Sequence, residues 1–196
     1  MAAKHEITAA DLLPSSEYAA RRSEERRKMV ELKRRRRIDV GPYATFYFEC
    51  FATMRHQVQE MLYIEKGGEE QLKGELAAYN PLVPNGRELV ATLMIEIDEP
   101  ARRQEALERL GGIENKASLK LAGKTVKGVA EEDAERTTPE GKASSVQFIH
   151  FPLTREEVAL FKTPGSEIVL ALEHPAYGHM ARISEEARAE LAKDLD

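Results

Sequence analysis

Cysteine is almost absent from this 196-residue chain, where Cys50 stands alone. One thiol excludes an intrachain disulfide. It also excludes a zinc or iron–sulfur site built from several thiolates of one chain. Long apolar runs are missing too. The opening MAAKHEITAADLL has no apolar core of signal-peptide length. No stretch approaches the roughly 20 apolar residues of a membrane span. These absences make the cytoplasm the expected location, with no membrane contact. There is no GxSxG elbow, and Gly123-Lys124-Thr125 lacks the upstream glycine of a phosphate loop. A glycine-rich dinucleotide fingerprint is absent as well. Nucleophilic catalysis and nicotinamide or flavin binding therefore have no sequence support.

What is present is ordinary in bulk and uneven in detail. Apolar residues make up 42% and charged residues 32%, as in a compact folded protein, and the length suits one domain over residues 1–196. The net charge of −5 hides a split. Residues 21–37, RRSEERRKMVELKRRRR, hold ten basic and three acidic side chains (+7), so the remainder sums to −12. A basic helical arm over 1–37, set on an acidic body, points to an anionic partner.

Local signals divide the chain into elements. Thr8 with Asp11 reads as an N-cap and its acidic N3 residue, before Pro14. Ser15 or Ser16 then caps a helix to about Arg35, whose sparse apolar residues keep it on the surface of the body. Gly41-Pro42 breaks that pattern, and TFYF predicts a strand or hairpin. Helical spacing returns at Phe51, Met54, Val58, Met61 and Leu62, on a stripe that includes Glu65. Gly67-Gly68 ends that helix, and another follows over Glu69 to Tyr79. From residue 87 the order reads β-α-β-β-β-α-β, and the polar segment 131–142 is the expected mobile loop.

The fold class is α+β: a helical N-terminal half, then a mainly antiparallel sheet with flanking helices. Removing one hairpin strand leaves the ferredoxin-like split βαβ order.

Several residues in this frame form a specific pattern: Gly41-Pro42, Ala44-Thr45, Phe48-Glu49, Gln57-Val58-Gln59-Glu60-Met61-Leu62, Ile64-Glu65 and Ala78-Tyr79-Asn80-Pro81-Leu82. Ala91-Thr92, Ile113-Glu114 and His174-Pro175-Ala176-Tyr177 continue it. On these residues the chain resembles an uncharacterised bacterial family, a domain of unknown function, over nearly its whole length. The resemblance brings no established reaction. It implies a setting beside rubrerythrin-like di-iron proteins and iron–sulfur oxidoreductases, hence a non-catalytic accessory role in peroxide or redox defence. This sequence departs from the family pattern at His56, where an aromatic is usual, and at Cys50, where an acidic residue is usual. Neither departure fits a shared catalytic group.

Candidate sites follow from the residue chemistry. His56 and Glu60 stand i, i+4, a spacing that can chelate a divalent ion or shuttle a proton. The same spacing is common on solvated faces, and a surface pair is the expectation here. Glu65, on the apolar stripe, either pairs with a cation, one of Arg34 to Arg37, or is freed where the helix frays; Glu49 could pair with the same arginines. Tyr79, Asn80, His174 and Tyr177 sit on proline-stiffened connectors, and convergence of those loops would make a pocket. Glu49, Glu60 and His174 would serve a metal-assisted enzyme using iron or manganese, although no cofactor is evident. Arg34, Arg35, Arg36 and Arg37 would meet a protein partner. Nucleic-acid binding through Lys33 to Arg37 is the weaker alternative, because no stacking aromatics are interleaved.

Overall fold

A computed structural model describes residues 4–131 and 141–196. Most of the segment expected to be mobile, 131–142, lies outside the described residues. In chain order the helices are α1 (Ser15–Arg35), α2 (Phe51–Glu65), α3 (Gly68–Tyr79), α4 (Pro100–Glu108), α5 (Arg155–Lys162) and α6 (Glu185–Leu191). The strands are β1 (Arg37–Val40), β2 (Ala44–Phe48), β3 (Glu88–Ile95), β4 (Ala117–Leu121), β5 (Lys124–Lys127), β6 (Val129–Ala130), β7 (Val146–Pro152), β8 (Ile168–His174) and β9 (Tyr177–Arg182).

The α+β class holds, but the ferredoxin-like order does not form. The strands divide between two sheets, ordered β1-β2-β3-β7-β6 and β5-β4-β8-β9, and every neighbouring pair is antiparallel. Strand alternation decides which faces meet. Phe46, Phe48, Leu89, Ala91, Leu93, Ile149 and Phe151 point one way from the first sheet, and Leu119, Leu170 and Leu172 meet them from the second. The rings of Phe46, Phe48 and Phe151 lie 6.1–6.5 Å apart at the centre. Full burial of each such side chain contributes about 1.5–3 kcal/mol.

The opposite face of the first sheet holds a second, smaller core. Val90 alternates with Leu89 and Ala91 and so faces away from the sandwich, where it packs with Met54 and Val58 of α2 and with Leu82, Val83 and Ile7. Two side-chain amides pin the segment before α1 onto this layer. Gln59 Oε1 accepts from Leu13 N at 2.7 Å while its Nε2 donates to Leu13 O at 3.1 Å. Asn80 does the same to Ile7, at 2.7 and 3.0 Å. Each amide imitates a strand partner for one residue, satisfying its backbone N–H and C=O together.

The local turn signals behave as their chemistry requires. Thr8 N donates to Asp11 Oδ2 at 3.0 Å, closing a 3₁₀ turn over Ala9–Asp11. Ala122 and Gly123 both adopt positive φ between β4 and β5, where a tight hairpin needs it. At the end of α2, Lys66 rather than a glycine takes the left-handed position, at φ 57°. Strand β9 has no counterpart in the sequence reading. It lies at the edge of the second sheet and is exposed through most of its length, so it carries no alternating pattern.

Candidate functional site

The face of α2 that carries His56 and Glu60 is not a solvated surface. Helix α1 lies across it. Tyr18, fully buried, donates its hydroxyl to Glu60 Oε1, and Arg22 grips the same carboxylate through Nε and Nη2, both at 2.9 Å. Arg22 also stacks over Tyr63, 4.8 Å from the ring centre, and Tyr18 meets Tyr63 and His56 edge-on. The sparse apolar residues of α1 are what cover this face, so the expectation of a surface pair is corrected. The Arg22 hydrogen bonds hold the Glu60 carboxyl down at about 2, against an ordinary 4.5. Burial lowers the His56 imidazole, partly offset by Glu60.

This arrangement predicts an acid response. A depressed carboxyl stabilises the fold above its ordinary value and loses that contribution as pH falls from about 4.5 toward about 2. Glu60→Gln should therefore be less stable than the wild type at pH 7, and the gap should narrow across that window. Urea midpoints at pH 7, 4.5 and 3 measure it; a gap independent of pH would show that Glu60 carries no such linkage.

For Glu65 the pairing with the arginines is corrected, and the freed carboxylate at the helix end is what the structure has. It is exposed at the end of α2, accepts from Gln71 Nε2 at 3.0 Å, and makes no contact with the arginine run. Glu49 is buried, with Oε1 accepting from Thr92 Oγ1 at 2.7 Å and Oε2 without a hydrogen-bond partner. Its carboxylate does not meet the arginines; only its backbone carbonyl does, from Arg36 Nη2 at 3.0 Å.

The basic run is mostly consumed within the molecule. Seven of its ten cations stand in ion pairs: Arg21, Arg22, Lys28, Arg34, Arg35, Arg36 and Arg37. Arg36 is 2% exposed, so it cannot belong to a partner-binding surface. It donates to Phe48 O at 2.9 Å, to Glu49 O and to the Asp194 carboxylate, with Glu190 at 3.7 Å. Arg26, Arg27 and Lys33 make no ion pair among the described residues. Sequence spacing accounts for two of these: neither Arg26 nor Lys33 has an acidic residue three or four positions away on α1. For Arg27, the two acidic neighbours at that spacing are taken, Glu24 by Lys28 and Glu31 by Arg34.

Arg26 and Arg27 border an open groove of about 740 Å³, together with Ala19, Val30, Glu31 and Tyr63. Val30 is 65% exposed, a large apolar side chain left in water beside two free guanidinium groups. A second groove of about 660 Å³ shares Tyr63 and runs on toward Leu62 and Leu72.

The proline-stiffened loops do not converge. Tyr79 packs in the α2–α3 core, and Asn80 serves its clamp on the same side of the first sheet. Tyr177 belongs to the sandwich core on the other side, its hydroxyl donating to Val40 O at 2.7 Å and accepting from Tyr43 N and Ala44 N. His174 Nε2 bonds Gly111 O, and its Nδ1 accepts from Ala176 N, both at 3.1 Å. Glu49, Glu60 and His174 thus engage three separate sets of partners. Among the described residues, no group of three or more His, Cys, Asp or Glu side chains stands in a metal-holding arrangement. No helix among them is long and apolar enough to cross a membrane.

A family model described as "Protein of unknown function (DUF3501)" matches residues 6–195. The chain belongs to this family. Its fold is shared by a solved structure, a novel protein of unknown function from Burkholderia pseudomallei K96243. The two are 38% identical with a TM-score of 0.90, over 97% of this chain and 99% of that one. No curated protein matches. Within the family pattern, Gln59 and Asn80 are backbone clamps in this chain, and Glu60 anchors α1.

Proposed function

We propose that this protein is a non-catalytic docking partner, and that the exposed face of α1 with Tyr63 is its contact surface. The observation that carries this is the groove in which two unpaired arginines flank an exposed Val30 and a tyrosine. Arginine, tyrosine and a central apolar anchor are the residues that dominate protein interfaces. The complementary partner segment is acidic with one apolar side chain. A protein fits better than nucleic acid, because the three cations of the basic run that are unpaired among the described residues supply few phosphate contacts and no aromatic interleaves them. The partner class, rubrerythrin-like or iron–sulfur oxidoreductase proteins acting in peroxide defence, rests on the family resemblance alone, and the cytoplasm as its setting rests on the single cysteine and the lack of long apolar runs.

The test is binding of purified rubrerythrin-like and iron–sulfur oxidoreductase proteins from the same cell to the immobilised chain. Saturable binding should weaken about tenfold or more in the Arg26→Glu, Arg27→Glu double variant and stay unchanged in Arg155→Glu. Partner binding indifferent to the double variant would remove this surface from consideration.

A further inference from the structure

We infer that the cleft between α4 and the β8–β9 turn binds a small hydroxy- or amino-carboxylate. The site is separate from the α1 groove and independent of the docking proposal. Its cavity measures about 180 Å³ and is lined by Tyr43, Ile97, Arg102, Glu105, Arg109 and Ala176. Arg102, Glu105 and Arg109 lie at i, i+3 and i+7, one face of α4 and its final turn.

Unmatched groups of both signs mark this cleft. Most cations of α1 are matched by carboxylates, whereas Arg102, Glu105 and Arg109 make no ion pair or side-chain hydrogen bond among the described residues. Two unmatched guanidinium groups and one unmatched carboxylate thus border the same small space. Guanidinium forks are suited to a carboxylate, which each can meet with two parallel N–H donors. The Tyr43 phenol, kept protonated by burial against the opposing pull of Arg109, is a further donor. Glu105 accepts from a hydroxyl or ammonium group on the same ligand. Ile97 supplies an apolar wall.

The walls are held before any ligand arrives. Tyr43 is fixed through its N–H to Tyr177 Oη at 3.2 Å, through its carbonyl to Glu96 N at 2.7 Å, and by its ring against Tyr177 at 4.5 Å. Arg103 Nη1 holds Ile97 O at 2.9 Å, which sets the approach to α4. His174 bridges Ala176 to Gly111 and so fixes the turn against the far end of α4. The Tyr43, Ile97 and Ala176 walls are thus set beforehand, and binding has to order only the exposed side chains of Arg102, Glu105 and Arg109. The volume equals about six waters, so the ligand is of metabolite size.

The experiment is calorimetric titration of the full chain with sodium malate, sodium aspartate and sodium phosphate, at matched ionic strength. Malate or aspartate should bind saturably, and both Arg102→Gln and Arg109→Gln should weaken that binding about tenfold or more. Glu105→Gln should weaken malate or aspartate and leave phosphate unchanged, which a purely structural role would not produce. Arg155→Gln is the control and should bind as the wild type does. All four side chains are exposed, so the variants should fold, and circular dichroism of each variant checks this. Absence of saturable heat with malate and aspartate overturns the proposal. So does binding that survives Arg109→Gln, or phosphate binding as tight as malate with no dependence on Glu105.

Discussion

Replacing Arg36 with alanine should lower the unfolding free energy by about 3–5 kcal/mol, the usual cost of breaking a buried ion pair from one side. The guanidinium is 2% exposed and holds four groups at once: two backbone carbonyls of the β2–α2 connection, the Asp194 carboxylate and, more distantly, Glu190. Its removal strands the Asp194 carboxylate, whose pKa burial already pushes up, and leaves both carbonyls without that donor. Lysine does not restore the arrangement, because one ammonium cannot span the planar fork that reaches carbonyls and carboxylate together. Urea unfolding at pH 7 measures the loss, and Arg36→Lys should recover less than half of it. A second comparison separates pair from packing: Arg36→Met with Asp194→Leu should be markedly more stable than Arg36→Ala, since no charge is then left uncompensated. If Arg36→Ala costs under about 1 kcal/mol, the cluster is not the anchor its geometry describes.

Gly41→Val should cost about 2–5 kcal/mol. Gly41 has φ +77°, a conformation costing a β-branched residue about 1–2 kcal/mol, and overpacking adds about 1–3 kcal/mol. A Cβ there would lie 2.5 Å from Tyr177 Oη and 2.6 Å from His179 Cγ. His179 is exposed at its edge strand and can move aside. Tyr177 cannot, because its hydroxyl serves Val40, Tyr43 and Ala44 together, joining the second sheet to the β1–β2 turn. Tyr177→Phe alone should cost about 1–3 kcal/mol through those lost bonds. Measured by urea unfolding, the two changes should fall clearly short of additivity, because both break one contact. Full additivity would mean that glycine is required there for its backbone angle only.

What could be read beforehand was mostly local. The Thr8 and Thr154 caps, the Gly123 hairpin and the extent of α1 each depend on residues within a few positions, and those signals are written consecutively. Division into two sheets was not legible, since Leu119 and Leu93 alternate alike whether their strands share a sheet or face one another. The site suffered in the same way. Gln59 and Asn80 stood out as polar residues in a specific pattern, but their targets, Leu13 and Ile7, lie 46 and 73 residues away. His56 and Glu60 looked solvated because a helical wheel shows one helix and not its cover. The free cations Arg26 and Lys33 were readable in principle, through the missing acidic neighbours on α1. The four-arginine run drew attention instead, and its most buried member is a structural anchor.

The pairing of Arg36 with Asp194 spans 158 residues, and that span has a temporal side. A ribosome working at about 5–20 residues per second needs roughly eight to thirty seconds to make that stretch. Throughout that interval the β1–β2 hairpin can form, but the guanidinium that its connection must enclose has no counter-charge. The first sheet therefore waits on translation, its apolar face without its full cover until β4 and β8 have both followed. Nascent chains stalled between the two residues should bind holdase chaperones, and release should coincide with emergence of Asp194.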